Sequence, residues 1–77
     1  MLNQCNVVSN VCFKYDDIYF PYIVAWFNPR TNWYGYQVFY DVDSAHQFSE
    51  MLVTRGKHVA DYKWDINELA YMLTYSN

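Results

Sequence analysis

Residues 18–42, IYFPYIVAWFNPRTNWYGYQVFYDV, decide the fold. Two runs rich in β-branched and aromatic side chains flank NPRTN at residues 28–32. There Pro29 presets φ for a turn, and Asn28 and Asn32 tolerate left-handed backbone. The pattern predicts a long β-hairpin. Symmetric closure of a five-residue loop sets Phe27 opposite Trp33, Ala25 opposite Gly35, Ile23 opposite Gln37, Pro21 opposite Phe39 and Tyr19 opposite Asp41. On the other face Ile18, Phe20, Tyr22, Val24 and Trp26 then meet Val42, Tyr40, Val38, Tyr36 and Tyr34. That second set carries no formal charge at neutral pH and reads as the core face. A slip of one residue would mix the two sets.

Toward the N-terminus, residues 5–15, CNVVSNVCFKY, are strand-like, and Asp16-Asp17 forms a turn pair before Ile18. Pairing Tyr15 with Ile18 sets Phe13 against Phe20, Val11 against Tyr22, Ser9 against Val24 and Val7 against Trp26. Both hairpin registers place the more apolar set on one face, and this agreement predicts a three-stranded antiparallel meander.

Beyond Val42 the period becomes helical. Asp43 and Ser44 can cap, Ser44 with Gln47 fits a capping box, Ala45, Phe48, Met51 and Leu52 form a stripe, and Gly56 stands where a left-handed cap belongs. Residues 58–64 alternate again and predict a short fourth strand at an edge, where Asp61 and Lys63 would discourage further pairing. Asp65 with Glu68 repeats the capping arrangement, and Ile66, Leu69, Ala70 and Leu73 predict a second helix. The expected fold is α+β: a two-layer sandwich in the order βββαβα. A three-stranded meander and a short fourth strand carry both helices on one face, and residues 1–77 form one compact domain.

The chain has 77 residues, so one small core must suffice, and its 22% of aromatic residues, nine Tyr, five Phe and three Trp, supply large buried area per residue. That content argues against disorder. The net charge is −3, from six Asp and two Glu against Lys14, Arg30, Arg55, Lys57 and Lys63, and does not attract phosphate backbones. Cys5 and Cys12 would point to opposite faces of one strand, and both read as free thiols of a reducing compartment. The longest apolar run, residues 18–27, is about half the ~20 residues that span a bilayer. A soluble, intracellular, cytoplasmic protein without membrane contact is expected.

Few constellations suggest chemistry. His46 and Glu50 stand at i and i+4, a metal-ligand spacing that His58 could extend, but a site needs three or four convergent ligands. Asp41 and Asp43 flank the start of the helix, where capping explains at least Asp43. Cys12, His58 and Asp61 contain nucleophile, base and orienter types without any local signature around the thiol. Gly35 and Gly56 have no partner glycines for a phosphate loop. No catalytic, cofactor-binding or metal residues are assigned, and the chain reads as non-enzymatic.

The outer sheet face, with Tyr19, Ile23, Phe27, Trp33, Gln37 and Phe39 and with Arg30 in the turn, has the composition of a protein-binding surface: aromatic and Arg anchors with few charges at the centre. In size, acidity, aromatic richness and lack of catalytic motifs, the chain resembles the small single-domain proteins that bacteriophages and other mobile elements encode to block a host factor. Anti-CRISPR and other anti-defence inhibitors are among them. Those families share no motif, so no residue role carries across. The resemblance implies a viral inhibitor that occludes a host protein or nucleoprotein complex in the host cytoplasm. Two alternatives stand beside it. One is single-stranded nucleic-acid binding through the aromatic face, which lacks the Lys and Arg that such modules place around their rings. The other is a structural subunit that dimerises through its apolar face.

Overall fold

The computed structural model describes residues 11–14, as backbone, and residues 20–77. The five described strands are β1 (Val11–Lys14), β2 (Tyr22–Asn28), β3 (Trp33–Phe39), β4 (His58–Asp65) and β5 (Ala70–Ser76), and the one described helix is α1 (Val42–Thr54). The strands form a single antiparallel sheet in the order β1-β5-β4-β2-β3, with α1 packed across β2, β3 and β4. The α+β class and the helix-on-sheet layering agree with expectation. Five finer features differ.

The β2–β3 hairpin is slipped by one residue. Asn28 pairs with Trp33 as the last residue of its strand, and the ladder continues through Trp26↔Gly35 and Val24↔Gln37 to Tyr22↔Phe39. Asn28 does double duty. Its carbonyl accepts from the Thr31 and Asn32 amides at 3.3 and 2.8 Å, and its side-chain oxygen accepts from the Arg30 amide at 3.0 Å. Asn32 takes the left-handed conformation, φ 61°, that its residue type permits. The loop is therefore residues 29–32, one shorter than predicted. The two expected faces are mixed in consequence: Tyr22, Val24 and Trp26 share a face with Phe39, Gln37 and Gly35, while Ile23, Ala25 and Phe27 share the other with Val38, Tyr36 and Tyr34.

The predicted meander is also corrected. β1 pairs with β5 rather than β2. The predicted turn at Asp16-Asp17, the pairings of residues 5–10, and both cysteine thiols lie outside the described residues. β4 is not an edge strand; it is central, between β2 and β5.

The predicted second helix is the strand β5. Asp65 accepts from the Asn67 and Glu68 amides at 2.8 and 3.3 Å, the same bonds a helix cap would make, but here they close a turn at residues 66–69. Leu69, at φ 50°, turns the chain back along β4. Asn77 fixes the far end: its Oδ1 accepts from the Val59 amide at 2.7 Å and its Nδ2 donates to the Lys57 carbonyl at 3.3 Å.

Helix α1 begins three residues earlier than the Ser44 box implies. Asp41 is the N-cap, its carboxylate accepting from the Ser44 amide at 3.0 Å. The other end is as expected, with Gly56 at φ 82° and the Lys57 and Gly56 amides donating to Leu52 and Val53 carbonyls, the paired bonds of a left-handed terminator.

Each face of the sheet carries a buried cluster. Under α1, Val24, Val59, Ala45 and Leu52 are buried, with Tyr22, Trp26, Phe39 and Phe48 packed around them. On the opposite face Ile23, Ala25, Ala60, Tyr62 and Tyr71 are buried, flanked by Val38, Trp64 and Leu73. The central strands reflect this: YIVAWF in β2 is a continuous apolar run, the signature of a strand buried on both sides.

Candidate functional site

The predicted partner-binding residues do not form one surface. Ile23, at 2% exposure, is core, and Phe27 is half-buried on the same face. Trp33, Gln37 and Phe39 lie on the helix side, where Phe39 packs against Phe48 with ring centroids 5.4 Å apart. Arg30 is exposed in the turn. Tyr19 lies outside the described residues. In place of the predicted set, the slipped register builds an aromatic row across three strands, with Phe27 between Tyr34 at 4.8 Å and His58 at 6.3 Å.

Four of the exposed rings, Trp33, Tyr34, Tyr36 and Tyr40, lie in or just past one strand rather than on one face. β3 is the outermost described strand on its side of the sheet, and its sequence, WYGYQVF, contains no charge and no proline. Its seven pairs with β2 run without a bulge. Natural sheets usually blunt such an edge with Lys, Pro, a bulge or a short length, since unpaired backbone groups there are a template for another strand. Trp33 is 73% exposed at its start, Tyr34 is exposed within it, and Tyr40 is 68% exposed just past its end.

A second feature lies beside α1. Asp61, on the helix side of β4, is only 8% exposed, and its Oδ1 has no hydrogen-bond partner. Burial pushes its carboxyl above the ordinary value, opposed by the Ser49 side chain and by the charge interaction with His46. A groove of about 610 Å³ opens over it, lined by His46, Ser49, Glu50, Val53, Thr54 and Tyr75. The sheet is locally irregular here: Asp61 pairs with Tyr75 but Tyr62 pairs with Leu73, which leaves Thr74 as an extra residue. The Thr74 hydroxyl donates to the Asp61 carbonyl at 3.1 Å. This bulge changes which face the chain presents, sending Leu73 to the side of Tyr62 and Tyr75 to the side of Asp61.

Among the described residues no three His, Cys, Asp or Glu side chains gather as a metal site. His46 and Glu50, noted for their spacing, instead share the wall of the Asp61 groove. No described helix is long and apolar enough to cross a membrane. No family model matches the chain, and no curated protein or solved structure matches it either.

Proposed function

We propose that this protein is a non-enzymatic binding module that receives an extended segment of a partner protein along β3. The observation that carries the reading is the uncharged, regular, seven-residue edge flanked by Trp33 and Tyr40. Strand addition draws affinity from main-chain hydrogen bonds and specificity from side chains at alternate positions, and exposed Trp and Tyr are the residue types that dominate such contacts. A module of this kind would act by occlusion, in keeping with the host-factor inhibitor implied by the chain's resemblance to phage-encoded proteins. Nucleic-acid stacking is disfavoured, because among the described residues Arg30, in the turn, is the one cation in β3 or its hairpin loop, and the net charge is −3.

The test is selection of peptide ligands from a random display library, followed by binding to edge variants. Trp33→Ala should weaken a selected peptide by about 2 kcal/mol or more without altering the fold. Gln37→Lys, which places a charge in the strand centre, should weaken it as well. Ligands indifferent to both changes would refute the reading. Pairing of β3 with a second copy would appear as concentration-dependent mass in light scattering, lost in Gln37→Lys.

A further inference from the structure

The Asp61 groove lies on the other side of the helix layer from the β3 edge and is independent of the reading above. A carboxylate sunk to 8% exposure, with one oxygen unpartnered, is unusual, since buried polar atoms are nearly always hydrogen-bonded. The charges around it do not resolve the deficit. From α1, His46 and Glu50 face the groove; from β5, Tyr75 does; Lys63, two residues along β4, lines an adjoining cavity with Tyr22 of β2 and is itself exposed. The walls combine two carboxylates, Asp61 and Glu50, with the aliphatic Val53 and the ring of Tyr75. A volume of about 610 Å³ is in the size range of small-molecule sites. A metal ion would need three or four close ligands, and the described residues do not gather them.

We propose that the groove is a binding site for a small organic cation, a guanidinium or alkylammonium whose charge meets Asp61 and whose apolar stem lies against Val53 and Tyr75. The charged head supplies the donor that Asp61 Oδ1 lacks, and an aromatic wall favours a cation further. A neutral ligand of the same shape would leave the carboxylate uncompensated in a desolvated position.

The experiment is an NMR titration of the whole chain with propylguanidinium chloride, with propylurea as the neutral analogue and sodium chloride as the ionic-strength control. Propylguanidinium should give saturable shifts at Ser49, Asp61 and Tyr75, and should bind about tenfold or more tightly than propylurea. Asp61→Asn should abolish that preference. In the wild-type chain, which requires no variant to fold, the cation should also move the Asp61 carboxyl titration to lower pH while propylurea leaves it in place. Equal binding of cation and urea, shifts that track salt alone, or an Asp61 titration indifferent to the cation would overturn the assignment.

Discussion

The indole of Trp26 lies across Gly35 of the neighbouring strand, so close that a Cβ built on Gly35 would stand 2.6 Å from Trp26 Cε2. The two are cross-strand partners, and Trp26 is held from above by Phe48, whose ring meets it edge-on at 5.4 Å. Gly35 is thus required by close approach rather than by a turn. Gly35→Ala should destabilise the fold by about 1 to 3 kcal/mol, the usual range for overpacking. Denaturant unfolding checks this; an unchanged midpoint would mean that the indole does not sit over β3.

The burial of both sheet faces is tested by two residues whose expected and observed exposures are exchanged. A sheet with one buried face, the one predicted, would make Ile23 a surface residue and Tyr40 a core one; in the structure, where both faces carry buried clusters, Ile23 is 2% exposed and Tyr40 68%. Ile23→Ala should cost about 2 to 5 kcal/mol. Tyr40→Ala should cost about 0.5 kcal/mol or a little more, because its contact with Phe20, centroids 4.5 Å apart, is made largely in solvent. Thermal unfolding of both variants decides between one buried sheet face and two, and the reverse order of effects would restore the single core face.

These exchanges show what was legible in the residues. The hairpin, the amphipathic helix and its glycine stop were readable, because alternation, helical spacing and Gly56 are local signals. The register was not, because Asn28 can serve as strand end or loop start with equal local chemistry. The second helix failed for the same kind of reason: Asp65 makes identical bonds to following amides in a cap and in a turn, and only pairing of Tyr71 and Leu73 with Trp64 and Tyr62 decides for a strand. The Asp61 groove had no sequence signature. It arises from a bulge at Thr74 and the arrival of α1 over β4, both set by tertiary packing.

The turn at residues 66–69 offers a gain in stability. Leu69 holds φ 50° with its side chain exposed, a conformation costing an L-residue about 1 to 2 kcal/mol. Leu69→Gly should relieve this and raise stability by up to about 1 kcal/mol, part of the gain being lost to the freer unfolded chain. A lower melting temperature in this variant would show that the leucine makes contacts worth more than the strain.

Asp61 and Asp41 should respond to pH in opposite senses. Burial raises the folded Asp61 carboxyl above its ordinary value of 3.8, so the folded state binds that proton more tightly than the unfolded chain. Its ionisation therefore weakens the fold as pH rises through the interval between the two values. Asp61→Asn should raise the melting temperature at neutral pH, with the benefit shrinking in acid. Asp41 is held below its ordinary value, chiefly by the Ser44 amide, so its cap is in force at neutral pH and is lost as pH falls through the depressed value. Asp41→Ala should destabilise at neutral pH and lose its effect in strong acid. Melting curves across pH for the two variants check both signs, and parallel behaviour would contradict the assignments.

The β3 edge is tested most directly by amide hydrogen exchange along Trp33–Phe39, residue by residue, with and without a peptide taken from the display selection. In the free chain, amides that point away from β2 should exchange fast and alternate with slow ones that pair with it. The bound peptide should slow the fast set while leaving α1 and the Asp61 groove unchanged. Protection that appears on the helix or in the groove, with the outer amides of β3 still exchanging fast, would contradict the account.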